Sequence, residues 1–254
     1  MYKMVVSEFS NTLIDSEEAI PHSTMIEIDR LRRDNVIYTI CSDDPFYMIN
    51  EYNKDFPFID YIVGYNGGVI YDCLNKNIIY SKSISNSIIK KIYKLVSNKD
   101  LVFYTLDYGY YLGNYNEFDY SKKIDSFNDF VSFNDIYRID IVCDNNKSCE
   151  EVVKLLEEIG VSTYIVKKNN LFIVEVYNKL NSKINCIKKI SKINKIKLDE
   201  VIGIVCNESD CCIVNNIGKC VSVKNACGSL KKLCKEKTLS NEEKGEEQVL
   251  KKYF

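Results

Sequence analysis

Histidine is almost missing from this chain, and its cysteines follow no metal-binding spacing. His22 is the only histidine in 254 residues, and none of the 11 cysteines stands in a CxxC pair. Structural zinc sites use four cysteine or histidine ligands in close spacing, so a zinc ribbon or zinc finger has little support. An odd number of cysteines excludes complete pairing within one chain. Reduced thiols, packed as small apolar side chains, are the simpler interpretation.

Long apolar runs and an excess of one charge are also absent. No apolar run approaches the roughly 20 residues that span a bilayer. The N-terminus lacks the basic region, apolar core and cleavage site of a signal peptide, so we expect a cytoplasmic protein. The formal net charge is −2, and lysine and arginine are spread along the chain. This distribution argues against a nucleic-acid or membrane surface.

Strand and helix patterns alternate in the first third and the last third of the chain. The predicted strands are Tyr2–Val6, Asn35–Cys41, Asp60–Gly64, a hairpin of Val69–Asp72 and Ile78–Ser81, Val201–Val205 and Cys220–Val223. The predicted helices are Ser23–Arg33, Lys183–Ile193, Gly228–Cys234 and a last helix ending at Tyr253. This alternation is typical of an α/β fold with a doubly wound parallel sheet, in which ligands bind beyond the C-terminal strand ends. The residues after Val6, Ile40 and Val205 are therefore the candidates for a site.

The middle of the chain has a different pattern, which predicts an α+β module inserted into the α/β chain. Its predicted helices are Ile84–Val96 and Cys149–Ile159, and its predicted strands are Leu101–Leu106, Tyr110–Gly113, Ile136–Cys143, Val161–Val166 and Leu171–Val176. We therefore expect a core domain of residues 1–82 and 177–254 and an inserted domain of residues 83–176.

Short motifs occur at the predicted strand ends and loops. Glu8-Phe9-Ser10-Asn11-Thr12 follows the first strand and places a carboxylate two positions before a small polar residue, a turn and a threonine. The other motifs are Asn66-Gly67-Gly68, Lys179 with Lys183, Asn207-Glu208-Ser209-Asp210, Lys224-Asn225-Ala226, and the tail Leu239–Gly245. In order and spacing they resemble the haloacid dehalogenase (HAD) superfamily, most closely its Cof-type sugar-phosphate phosphatases.

The resemblance implies a Rossmann-like HAD core with an inserted α+β cap domain that closes over the strand ends. It also implies phosphoryl transfer through an aspartyl-phosphate. In the family one carboxylate attacks phosphorus and a second, two residues later, protonates the leaving oxygen. A hydroxyl and a lysine hold the phosphoryl oxygens. Mg²⁺ binds to the nucleophile, to a backbone carbonyl and to an aspartate of the fourth motif.

Three reactive positions differ from the family pattern. Glu8 stands at the nucleophile position, where one extra methylene displaces the carboxylate by about 1 Å and can cost roughly 10²-fold. Ser10 stands at the general-acid position, and losing acid–base help costs about 10²–10⁴-fold. Cys206 replaces the metal-binding aspartate, although Mg²⁺ prefers oxygen ligands. The alternatives are a solvated or salt-bridged carboxylate for Glu8 and a turn residue for Ser10.

Other positions keep the family's residue types. The resemblance implies phosphate binding by Ser42, Lys183 and Asn225. It implies metal binding by Glu8, by Ser10 through its carbonyl, and by Asp210, which could instead hold Lys183. Mg²⁺ binding would be weakened by Cys206. The family's Gly-Arg after the hydroxyl is here Asp43-Asp44, two carboxylates that would repel a phosphorylated ligand. For this pair we expect the alternative, a solvated turn. An ordinary surface lysine is the alternative for Lys183.

The leading hypothesis is a catalytically impaired pseudophosphatase that binds a phosphorylated small molecule or a protein partner. The alternative is an active Mg²⁺-dependent phosphatase acting on sugar phosphates or related phosphomonoesters, with Glu8 as nucleophile. A third hypothesis, thiol chemistry or a soft-metal site at Cys206, lacks the electropositive surroundings that reactive thiols need. The inserted domain offers aromatic side chains for a ligand or, as we expect, for core packing: Phe103, Tyr104, Tyr108, Tyr110 and Tyr111.

Overall fold

The protein is described by a computed structural model that covers residues 1–55, 58–113, 121–168 and 171–254. Within these residues the chain divides into two compact units, Met1–Tyr80 with Ser182–Phe254, and Ser81–Asn181. The limits of the inserted domain, 83–176, include residues outside the described ranges and remain a prediction. No described helix is both long enough and apolar enough to cross a bilayer.

Strands and helices follow one another along the chain in an order close to the predicted one. The strands are β1 (Met4–Ser7), β2 (Ile37–Cys41), β3 (Tyr61–Gly64), β4 (Val69–Asp72), β5 (Asn77–Ser81), β6 (Leu101–Tyr104), β7 (Gly109–Leu112), β8 (Ser121–Lys123), β9 (Arg138–Cys143), β10 (Val161–Lys168), β11 (Leu171–Asn178), β12 (Val201–Val205), β13 (Lys219–Ser222) and β14 (Glu236–Lys237). The helices are α1 (His22–Arg33), α2 (Phe46–Asp55), α3 (Asn86–Leu95), α4 (Phe127–Phe133), α5 (Asn146–Leu156), α6 (Lys183–Ile193), α7 (Gly228–Leu233) and α8 (Gly245–Tyr253).

The first unit contains an eight-stranded sheet in the order β14-β13-β12-β1-β2-β3-β4-β5. The strands from β14 to β3 run parallel, and β4 is antiparallel to β3. Every residue of β1 and β12 is buried, as expected when helices cover both faces of a parallel sheet. This arrangement confirms the predicted doubly wound α/β fold and brings the C-terminal ends of β1, β2 and β12 to one edge of the sheet.

The second unit contains a six-stranded sheet in the order β10-β11-β9-β6-β7-β8. Its pairs are antiparallel except β7 with β8. Side chains alternate between the two faces of a strand, and Ile139 and Ile141 of β9 enter a core with residues of α3, α4 and α5. The α+β character predicted for the middle of the chain is confirmed.

The opposite face of this second sheet carries buried charge. Arg138 and Asp140 alternate with the core residues of β9, and Glu175 of β11 pairs with Asp140 in the strand register. All three side chains are at most 2% exposed. A buried arginine therefore lies between two buried carboxylates on one face of the sheet.

The aromatic residues of β6 and β7 separate between these environments. Phe103 lies in the apolar core and Tyr110 packs against it, which confirms the expectation of core packing for these two. Tyr104 is buried on the charged face, where its hydroxyl donates to Asp140 Oδ2 at 3.1 Å. Tyr108 is exposed and Tyr111 is half-buried, so core packing does not describe the whole set.

Candidate active site

Glu8 follows β1 directly, and its carboxylate turns into the protein. The side chain is fully buried. Oε1 accepts from the backbone N–H of Phe9 at 2.8 Å and from the hydroxyl of Ser42, and Oε2 accepts from Lys183 Nζ at 2.6 Å. Burial raises the pKa of Glu8 well above its ordinary value, although Lys183 acts in the opposite direction. The raised pKa favours the protonated carboxyl group, which is a poorer nucleophile than the carboxylate.

The turn after Glu8 keeps the shape that the sequence predicted. Phe9–Leu13 form one wide helical turn, closed by a bond from Ile14 N–H to the carbonyl of Phe9 at 3.3 Å. Asn11 adopts a φ of 60° within it, which asparagine tolerates better than most residues. The replacement of the family's glycine by asparagine therefore leaves the turn intact.

Lys183 is the first residue of α6 and is completely buried. Its Nζ lies 2.6 Å from Asp210 Oδ1, 3.1 Å from Ser209 Oγ and 3.3 Å from Asp43 Oδ1, in addition to Glu8. Burial lowers the pKa of Lys183, but Asp210, Asp43 and Glu8 together raise it by more. The pKa of Lys183 therefore lies well above its ordinary value. The alternative of a surface lysine is wrong, and the ammonium's three protons all face protein acceptors.

A glycine turn fixes where α6 begins. Gly67 has a φ of 90°, and a Cβ built there would lie 2.5 Å from the carbonyl carbon of Ser182. Only glycine allows this approach at this conformation. The thiol of Cys186 also lies 3.4 Å from the Gly67 carbonyl oxygen. The Asn66-Gly67-Gly68 motif thus positions the helix that delivers Lys183.

Asp210 and Cys206 meet after β12. Asp210 Oδ2 accepts from the backbone N–H groups of Cys206 at 2.9 Å and Asn207 at 3.0 Å, while Oδ1 accepts from Lys183. Asp210 therefore anchors both the loop and the ammonium. Burial, with Glu8 and Asp210 nearby, raises the pKa of the Cys206 thiol to about 12. This thiol stays protonated at neutral pH, which disfavours the hypothesis of thiol chemistry.

The two aspartates after β2 do not form a solvated turn. Both are half-buried. Asp43 Oδ2 accepts from Ser209 Oγ at 2.5 Å, and Asp44 Oδ2 accepts from Ser10 Oγ at 2.7 Å. The alternative of a solvated turn is wrong, because each carboxylate contacts a serine hydroxyl of a neighbouring loop. Asp43 also contacts the Lys183 ammonium. Ser209 was missed in the sequence, where only its place in a motif beside Asp210 could have indicated it.

Ser42 carries one hydroxyl proton but faces two carboxyl groups. Its Oγ contacts Glu8 Oε1 and lies 2.7 Å from Asp44 Oδ2, and it also accepts from the Asp44 N–H at 3.2 Å. One hydroxyl cannot donate to both carboxylates at once. A proton on Glu8 would resolve this conflict, in agreement with the raised pKa of Glu8.

Asn225 lies at the margin of the site. The residue is exposed, and its amide donates to the carbonyl of Asn11 at 2.8 Å and accepts from Asn241 N–H at 3.3 Å. A longer contact of 3.9 Å reaches Cys206 Sγ. The structure thus brings Glu8, Ser42, Lys183 and Asp210 into one cluster, with Asn225 tying the surrounding loops together.

The profile of one protein family, described as haloacid dehalogenase-like hydrolase, matches residues 5–250. The chain belongs to this family. A putative phosphatase of Haemophilus influenzae is 24% identical over 266 residues, which cover 100% of this chain and 99% of that protein. A haloacid dehalogenase-like hydrolase from Bacteroides thetaiotaomicron superposes with a TM-score of 0.84 at 18% identity over 100% of both chains. A HAD subclass IIB sugar phosphatase superposes with a TM-score of 0.81 at 19% identity, over 99% of this chain and 98% of that one. The resemblance to the HAD superfamily is confirmed, and the structural likenesses show the fold.

HAD phosphatases use Mg²⁺, and two of the positions that the resemblance connects with this ion are Cys206 and Glu8. Cys206 offers a protonated thiol where Mg²⁺ would need an oxygen. Both oxygens of Glu8 accept hydrogen bonds from protein groups. Among the described residues, no three histidine, cysteine, aspartate or glutamate side chains are grouped to hold a metal ion. Weakened Mg²⁺ binding at this site stays a prediction.

A second buried carboxyl group of this family member contacts Ser7, the residue before Glu8. Glu246, in the first turn of α8, accepts from Ser7 Oγ at 2.8 Å and from the Tyr38 hydroxyl. The Ser7 hydroxyl also lies 3.0 Å from the carbonyl of Glu8. Burial raises the pKa of Glu246 to about 7, and the two hydroxyls lower it only partly. No sequence pattern predicts this contact, because its partners lie in distant segments.

The Glu246→Gln variant should change how stability depends on pH. Between pH 4.5 and about 7 the folded state keeps a proton that the unfolded state releases, so stability falls as pH rises and levels off above 7. Each pKa unit corresponds to 1.36 kcal/mol. Over this pH window the free energy of unfolding of the wild type should therefore fall by about 3 kcal/mol relative to that of Glu246→Gln. Urea denaturation at pH 5 and pH 8 measures this difference, with the exposed Glu17→Gln as control. The prediction is wrong if the free energies of unfolding of wild type and Glu246→Gln differ by the same amount at pH 5 and at pH 8.

Proposed function

We propose that this protein is a catalytically impaired HAD-family phosphatase relative, a pseudophosphatase whose strand-end site is adapted to binding a phosphorylated small molecule. One observation carries the proposal: Glu8 is fully buried, and its two carboxyl oxygens contact the Phe9 N–H, the Ser42 hydroxyl and the Lys183 ammonium. A nucleophile must direct a free lone pair at phosphorus. The Glu8 side chain has no exposed surface in this conformation, so in-line attack would require the side chain or the loops around it to move.

The other altered positions support the same conclusion. The hydroxyl of Ser10 donates to Asp44, and a hydroxyl cannot replace a carboxylic acid as proton donor at neutral pH. Cys206 presents a protonated thiol at the position of a metal ligand. These losses need not multiply, because catalytic groups act as a unit. We expect at least about a 10⁴-fold loss of the ancestral hydrolysis.

The nature of the ligand is proposed from the family and from the donors at the site. The Haemophilus influenzae relative is described as a putative phosphatase and a structural neighbour as a sugar phosphatase. Lys183, Ser42 and Ser209 supply an ammonium and two hydroxyls, the donor types that hold phosphoryl oxygens. A phosphomonoester of a sugar or related small molecule is the corresponding ligand. A protein partner stays a prediction.

Phosphate release from sugar phosphates and nucleotides in the presence of Mg²⁺ tests the loss of hydrolysis. The wild type, Glu8→Ala and Glu8→Asp should release phosphate at the same background rate, because Glu8 makes no attack. The variants must show the wild-type circular dichroism spectrum, and Glu17→Ala serves as a control for sample preparation. Glu17 is exposed, so its removal leaves the site unchanged.

The same assay tests the alternative of an active phosphatase. That alternative has one supporting observation, since Glu8 follows β1 directly and its carboxyl group lies 2.6 Å from Lys183 Nζ, the group that the resemblance assigns to phosphate binding. Turnover in the wild type that disappears in Glu8→Ala and survives in Glu17→Ala would establish Glu8 as a nucleophile and refute the proposed function.

A further inference from the structure

The loop after β2 places the carboxylates of Asp43 and Asp44 against Lys183 and Ser42, to which the family resemblance assigns phosphate binding. Asp43 approaches Lys183 Nζ at 3.3 Å with one oxygen and accepts from Ser209 Oγ at 2.5 Å with the other. Asp44 accepts from Ser42 Oγ and Ser10 Oγ, both at 2.7 Å. The Lys183 ammonium and the hydroxyls of Ser42 and Ser209 thus already face oxygens of these two carboxyl groups.

The backbone holds this loop in place. The Ser42 N–H donates to the Val63 carbonyl at 2.8 Å, and the Asp44 carbonyl accepts from Tyr65 N–H at 3.2 Å. Asp44 also donates its own N–H to Ser42 Oγ at 3.2 Å. The two carboxylates are therefore built into the loop between β2 and α2 and are tied to the end of β3.

We propose that Asp43 and Asp44 form an internal carboxylate ligand that occupies the phosphoryl-binding donors of this protein and excludes phosphate until the loop moves. A phosphoryl group presents anionic oxygens to an ammonium and to hydroxyls, and the two aspartates present the same chemistry from within the chain. The inference rests on the proposed function, since an active phosphatase would have to admit the phosphoryl group readily.

The charge of the cluster gives the physical reason for exclusion. The ammonium of Lys183 lies within 3.3 Å of Glu8, Asp43 and Asp210, and Asp44 adds a further carboxyl group beside Ser42. A phosphate dianion would enter an environment that is already rich in negative charge. Like charges brought together in a buried site oppose binding strongly. Removing the two outer charges should therefore convert the site into an anion-binding one.

Titration with inorganic phosphate tests the proposal on the full-length protein. The double variant Asp43→Asn/Asp44→Asn keeps side-chain size and removes both charges. We expect it to bind phosphate at pH 7.5 at least about tenfold more tightly than the wild type, measured by isothermal titration calorimetry at constant ionic strength. The control Asp125→Asn/Asp129→Asn makes the same change in net charge on exposed residues of the other unit and should bind like the wild type.

Two further measurements separate the outcomes. Adding Ser42→Ala to the double variant should reverse most of the gain, because a phosphate-binding hydroxyl is lost. Wild-type affinity equal to that of the double variant would overturn the proposal, and so would a folded double variant that binds no better than the control. A different result would refute the proposed function: phosphate release by the wild type that depends on Glu8.

Discussion

Replacing Lys183 by methionine should lower the free energy of unfolding by about 3–5 kcal/mol, because removing one partner of a buried ion pair leaves the other charge uncompensated. Lys183 Nζ contacts Glu8 and Asp210 at 2.6 Å, and each of these three side chains is at most 1% exposed. Methionine keeps the apolar stem but supplies no donor. Urea denaturation followed by far-UV circular dichroism measures the loss.

A matched control lies on the same helix. Lys188 of α6 is exposed, and Lys188→Met should change stability by no more than about 0.5 kcal/mol. The loss in Lys183→Met should shrink as pH falls, because a protonated Glu8 no longer needs a cation. A Lys183→Met variant as stable as Lys188→Met would show that the buried ammonium adds little to the fold.

The Arg138→Met variant should lose a similar amount, about 3–5 kcal/mol, in the second unit. Arg138 donates through Nε and Nη2 to both oxygens of Asp140 at 2.6 Å, and Nη2 lies 2.7 Å from Glu175 Oε1. Its guanidinium also lies 4.9 Å from the ring centre of Tyr104. Methionine would leave two buried carboxylates, of which Glu175 keeps Lys168 Nζ at 3.0 Å.

Two comparisons define what the Arg138 result means. Arg33 makes an exposed ion pair with Asp29 at 3.2 Å, and Arg33→Met should cost at most about 1 kcal/mol. The triple variant Arg138→Met/Asp140→Leu/Glu175→Leu removes the charges together and should recover most of the loss, since apolar replacement of a whole buried network is often tolerated. A triple variant less stable than Arg138→Met would contradict this explanation.

The sequence alone determined the architecture of the first unit and the location of its candidate site. Apolar runs of strand length that alternate with helical spacing predict parallel βα units, and β1, β12 and α6 lie where this pattern placed them. Because parallel strands end at one edge of a sheet, the residues after β1, β2 and β12 had to meet. The convergence of Glu8, Ser42 and Asp210 follows from this rule.

Short elements escaped the sequence patterns. The strands β8 and β14 have three and two residues, which is too few for alternation to be recognised. The helices α2 and α4 were also missed. The hydrophobic pattern of α2 is weak because tyrosines and asparagines interrupt it, and α4 is only seven residues long. Their place depends on packing against neighbouring elements, which local propensity does not encode.

Only the tertiary structure decided which donor meets which acceptor. Asp43 and Asp44 looked like a solvated turn because loop side chains follow no period, yet they lie against Lys183 and Ser42. The contact of Ser7 with Glu246 joins residues 239 positions apart. Periodicity fixes which face of an element is buried, but the partner of a buried polar group depends on the packing of distant segments. For that reason the sequence predicted the fold and the place of the site, and the structure revealed that its donors are engaged by carboxylates of the same chain.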